Sequence, residues 1–91
     1  MNTHLKPVVL NADECRFDGD WSCGSCTTIV GPVHFGNNVR IGGHTFIGKG
    51  VEVKPNITIG SHCHIKEDTI VSQDVPNRNV LFPDGRMVEK V

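Results

Sequence analysis

Ninety-one residues with a formal net charge of −1 fit one small domain and give no reason to expect nucleic acid or an anionic membrane as partner. No apolar run approaches transmembrane length and no signal-peptide core is present, so a soluble cytoplasmic protein is expected. In that reducing setting Cys15, Cys23, Cys26 and Cys63 are expected to be thiols or ligands rather than bridges.

Helix is disfavoured almost throughout. Gly, Pro, Asn, Val, Ile and Thr dominate, which suits short strands broken by turns. From Leu5, a step of six visits Leu5, Asn11, Phe17, Cys23, Ile29, Phe35, Ile41, Ile47, Val53, Ile59, Ile65 and Val71. All but Asn11 and Cys23 are large and apolar. Four positions later in each repeat come Val9, Cys15, Trp21, Thr27, Val33, Val39, Thr45, Val51, Ile57, Cys63, Thr69 and Val75, all β-branched or Cys except Trp21. Across each repeat boundary the two columns lie two residues apart, so they share the inward side of a strand.

The intervening positions read as turns. Pairs such as Asn37-Asn38, Gly43-His44, Lys49-Gly50 and Pro55-Asn56 suit the two centres of a type II turn, the second with positive φ. Gly31-Pro32 cannot follow that rule, because Pro cannot take positive φ. Three repeats make an 18-residue coil, and residues 5–76 make about four coils with an unbroken period. The chain is thus expected to be a single all-β domain, 1–91, a single-stranded parallel β-helix with three flat faces. Residues 77–91 form its cap, with Val80-Leu81-Phe82 and Arg86-Met87-Val88 as a hairpin about Pro83-Asp84-Gly85. Such a cap protects the unpaired edge of the stack.

The hexapeptides IGGHTF (41–46), IGKGVE (47–52) and IGSHCH (59–64) resemble the repeat of left-handed β-helix proteins, a superfamily that includes acyltransferases and γ-class carbonic anhydrases. TIVSQDVPNRNVL (69–81) is similar to the segment with a DVP-type turn that closes the β-helix in many such acyltransferases. FDGDW (17–21) is similar to the region around an Arg-Gly-Asp in the carbonic-anhydrase branch, with Asp18 in the Arg position. The resemblance implies a left-handed prism and a homotrimer with active sites in the grooves between subunits. The chain departs from both branches. FPDGRM replaces the acyl-carrier stretch that follows the DVP turn, long catalytic loops are missing, and so are the spaced histidines of the γ-carbonic anhydrase zinc site. No catalytic residue carries over.

The register sorts the candidates. Cys23 falls inward and Cys26 on an outward turn, so the CGSC run (23–26) is not a redox pair, which needs adjacent sulfurs. Cys15 and Cys63 read as core residues. Cys26, His44 and His62 stack 18 residues apart on one corner and are zinc or other divalent-metal ligand types. His44 and His62 with a ligand from a neighbouring chain make the easier metal geometry. Equally, His and Cys simply suit a turn position with positive φ. Arg16, His34 and Glu52 share another outward column, either an acid–base group or an exposed charge ladder. Leu10, Phe46 and His64, with Thr28, are placed in one outward column and read as a subunit interface.

These observations support a small trimeric binding or scaffold module with a ligand or metal site between subunits. The alternative is an enzyme, acyltransferase-like or metal-dependent like the γ-carbonic anhydrases, with His44 or His62 as general base or ligand. A small-molecule ligand is a further partner this reading allows, and its identity is not readable.

Overall fold

The computed structural model describes residues 8–90. The chain forms thirteen short strands: β1 (Val8–Leu10), β2 (Arg16–Phe17), β3 (Trp21–Cys23), β4 (Thr28–Val30), β5 (His34–Phe35), β6 (Val39–Ile41), β7 (Phe46–Ile47), β8 (Glu52–Val53), β9 (Thr58–Ile59), β10 (His64–Ile65), β11 (Ile70–Val71), β12 (Asn79–Leu81) and β13 (Met87–Glu89). From β1 to β11 successive strands go to different sheets, so each face is built from every third strand, and β12 and β13 both return to the first face. Sheet A runs β1-β4-β7-β10-β12-β13, sheet B runs β2-β5-β8-β11, and sheet C runs β3-β6-β9. All pairings are parallel except that of β12 with β13. The result is a β-solenoid of about four coils, as the repeat predicts.

Both inward columns line one core. Ile29, Phe35, Val39, Ile47, Ile59, Ile65 and Val71 are fully buried, and Val33, Val51, Val53 and Cys63 are nearly so. Each such aliphatic side chain contributes about 1.5–3 kcal/mol relative to exposure. The fourth-position turns behave as their residue types require. Cys26, Asn38, His44, Asn56, His62 and Asp68 all have φ between 56° and 65°, and Gly50 has φ 78°. Gly31-Pro32 turns through a cis peptide bond instead, and Asp20 and Asp74 at the same repeat position do not have positive φ.

The unbroken period is corrected at both ends. Between Arg16 and Val71 partners are 18 residues apart, as in Arg16–His34–Glu52–Ile70. In the first coil Val9 pairs with Ile29, twenty residues away. The two extra residues are taken up by a short 3-10 turn, Ala12–Glu14, entered through Asn11 at φ 56°. Asn11 is therefore a turn residue and Val9 fills the inward column in its place; Leu5 lies outside the described residues. In the last coil Val75 bridges to Ile59 and His64 pairs with Val80, sixteen residues away in each case. The corner after Val71 is two residues shorter than the others. The expected hairpin is present, with Val80 opposite Val88 and Leu81 opposite Met87. Its first strand is also the start of a fifth coil on sheet A. Val91, the last residue assigned to the cap, lies outside the described residues.

Trp21 fits neither a small-residue column nor an outward position because it closes the first coil. Its ring stacks on Phe17 with centroids 4.6 Å apart and meets Phe35 edge-on at 5.5 Å. Three aromatic rings thus fill the end of the prism.

Candidate functional site

The edge where sheet C turns into sheet A carries the ladder anticipated from the repeat. Cys26, His44 and His62 sit at equivalent turn positions in successive coils. His44 N–H donates to Ser25 C=O at 2.9 Å, and His62 N–H donates to Gly43 C=O at 2.9 Å. A fourth rung extends it. Arg78, at φ 64°, donates its N–H to Ser61 C=O at 2.8 Å in the same manner. The strict period hides Arg78, because the shortened corner moves it two residues ahead of the expected position.

Beneath the rungs the turns are pinned from inside. Buried Thr27 donates its hydroxyl to Gly42 C=O at 2.8 Å, and buried Thr45 donates to Gly60 C=O at 2.8 Å. Each bond ties one coil to the next across the edge. Cys63 takes the third place in this inner column, with its thiol 3.1 Å from Pro76 C=O. A glycine is needed at the turn entrance: a Cβ on Gly42 would lie 2.5 Å from Ser61 N and 2.7 Å from Gly60 C.

The exposed His44 and His62 rings stack face to face, with centroids 4.9 Å apart and planes within 2° of parallel. An imidazole nitrogen presents its lone pair in the ring plane, and a metal sits about 2.0–2.1 Å from it. Two stacked parallel rings therefore aim their lone pairs along separate planes, not at one ion. Among the described residues no group of three or more His, Cys, Asp or Glu side chains is placed to hold a metal. Cys23 is half-buried in the inward column while Cys26 is on the outward edge, as the register requires, and burial pushes the Cys23 thiol up from its ordinary value.

Sheet A, on one side of this edge, is apolar outward. Thr28, Phe46, His64 and Val80 form one outward column. Leu10 is not part of it: with the first coil shifted by two residues, Val8 pairs with Thr28 and Leu10 pairs with Val30 on the parallel column. Both remain on the same face, and Val8, Leu10, Phe46 and Val88 are 49, 48, 38 and 45% exposed. His64 meets Phe46 edge-on at 5.0 Å. Partial burial holds its imidazole below the usual range, with Lys66 and Lys90 adding to the effect. Phe46, His64, Lys66 and Phe82 border an open hollow at the upper end of the face.

Sheet B is charged outward. Arg16, His34 and Glu52 do stack, but His34 pairs with Asp18 rather than Glu52. His34 Nε2 is 2.8 Å from Asp18 Oδ2, and Arg16 Nε donates to Asp18 Oδ1 at 3.2 Å. The His34 hydrogen bond, then the charges of His34 and Arg16, hold the Asp18 carboxyl below its ordinary range. Glu52 accepts from Lys54 Nζ at 2.9 Å, which lowers it likewise. Asp18 was legible in principle, since it lies two residues after Arg16 and on the same side of the strand.

No helix among the described residues is long and apolar enough to cross a membrane. Residues 36–73 match the family model described as bacterial transferase hexapeptide (six repeats). No curated protein matches the chain. The matched repeats form the continuous middle of the parallel coil stack, and the β-solenoid is consistent with a left-handed β-helix hexapeptide-repeat protein.

Proposed function

We propose that the protein is a homotrimeric β-helix binding module, joined through sheet A, with the Cys26–His44–His62–Arg78 edge beside that junction as its ligand site. The observation that carries this reading is the outward face of sheet A. Among the described residues it holds four of the five exposed large hydrophobic residues, Val8, Leu10, Phe46 and Val88. A contiguous apolar face on so small a domain is a reason to associate. The number three comes from the repeat family, not from the face itself.

The binding reading is preferred to the enzymatic ones. A metal shared by His44 and His62 would need both rings to turn out of their stack. An acyltransferase would need an acyl-carrier surface, and the chain offers a tight hairpin at that point.

Two substitutions test the assembly. Phe46→Glu places a charge in the centre of sheet A and is expected to yield single chains by light scattering. Ile70→Glu places the same charge at a residue 58% exposed on sheet B and is expected to leave the assembly intact. Retention of the assembly by Phe46→Glu would reject sheet A as the junction.

A further inference from the structure

The rungs of the sheet C–sheet A edge are Cys26, His44, His62 and Arg78, with no carboxylate among them. The strands meeting there also carry basic side-chain types: Arg40 on β6 and His64 on β10, followed by Lys66. The carboxylates on adjoining elements are Asp74 and Glu89. Asp74 Oδ1 accepts from Thr58 N–H at 2.9 Å, and Glu89 lies opposite Asn79 on the hairpin. The acidic pair Glu67 and Asp68 belongs to the other edge of sheet A.

We infer that this edge binds a doubly charged oxyanion, a sulfate or phosphate group, held by His44, His62 and Arg78. The inference deepens the reading of the edge as a ligand site and does not depend on the assembly. The stacked rings, 4.9 Å apart, set ring nitrogens side by side, and the next rung carries the guanidinium of Arg78. A dianion facing the three rungs takes ring N–H donors from both histidines and a charge-assisted forked pair from Arg78, the geometry that guanidinium offers to tetrahedral oxyanions. The same cation on the fourth rung opposes a metal ion. The turns that hold the rungs are tied coil to coil by Thr27 and Thr45, so the spacing is set before the anion arrives.

The test is a sulfate titration followed by the ring-proton NMR signals of His44 and His62, with chloride at matched ionic strength as reference. Saturable shifts of both rings are expected at pH 6, with the His34 signals on sheet B unmoved. Arg78→Gln should weaken binding about tenfold, the scale of one charged hydrogen-bonding group, and Arg78→Lys should recover part of it. Methyl phosphate binding at least as tightly as inorganic phosphate assigns the site to an esterified phosphate; weaker binding assigns it to the free anion. Sulfate that moves the rings no more than chloride does, or full affinity in Arg78→Gln, overturns the inference. Mass measured on the same samples separates the two ideas. Single chains that bind sulfate keep the site and lose the junction, whereas an assembly that ignores sulfate loses the site.

Discussion

Sheets A and B grow from one repeat and share one core, yet they face outward with opposite chemistry. Ile47 on sheet A and Phe35 on sheet B are both fully buried. Outward, sheet A presents Val8, Leu10, Phe46 and Val88, whereas sheet B presents the Arg16–Asp18–His34 group and the Glu52–Lys54 pair, with Ile70 its one exposed large apolar residue among those described. The inward columns are common to every face and set the fold. The outward columns are free of that constraint and set what each face meets. Exposed ion pairs such as those of sheet B contribute little to stability and keep a face solvated. An exposed apolar face is a reason for association.

The comparison can be broken first at the core. Ile47→Ala and Phe35→Ala should each cost about 3–5 kcal/mol by chemical denaturation, through lost burial and the cavity left behind. If one face tolerated the loss, the two sheets would not share a single core. Next in size is Gly42→Ala, whose Cβ would press on the backbone of the following coil at Ser61 and Gly60. A cost of about 1–3 kcal/mol is expected, as for overpacking, and a neutral result would mean that the coil spacing is softer than described.

The smallest effects are pH-dependent and differ by face. On sheet A the folded protein holds the His64 imidazole below its ordinary 6.5, so it binds fewer protons there than the unfolded chain. Stability is therefore full above that value and declines as pH falls below it, levelling off under the depressed folded value. His64→Gln should remove this decline, as read from denaturation midpoints at pH 7.5 and 5. On sheet B the depressed Asp18 carboxyl contributes stability that is present above its ordinary 3.8 and is lost as pH falls through its lower folded value. Asp18→Asn should alter only that acid limb, and only slightly, because the group is exposed. Equal responses from both variants in both windows would erase the distinction between the faces.

The middle of the molecule was legible because its physics is local and repeated. From Arg16 to Val71 one period places every inward residue, and the positive-φ turns follow from Asn, Gly and His at a fixed offset. The ends were not, because a two-residue change in a turn leaves no mark on hydrophobicity. Asn11 in an apolar column was the visible sign of the first shift. It misplaced Leu10, which belongs beside Val30 rather than above Thr28. The short corner before Val75 hid Arg78 from the ladder. The His34–Asp18 pair was missed for another reason: stacking by 18 finds neighbours straight up the prism, and this pair is diagonal.

The central claim is that sheet A is covered by other copies of the chain. The most direct test is the solution mass of the unaltered protein, by sedimentation equilibrium at micromolar concentration. Three times the chain mass, reduced to one in Phe46→Glu, is the predicted result. A single-chain mass for the unaltered protein would contradict it.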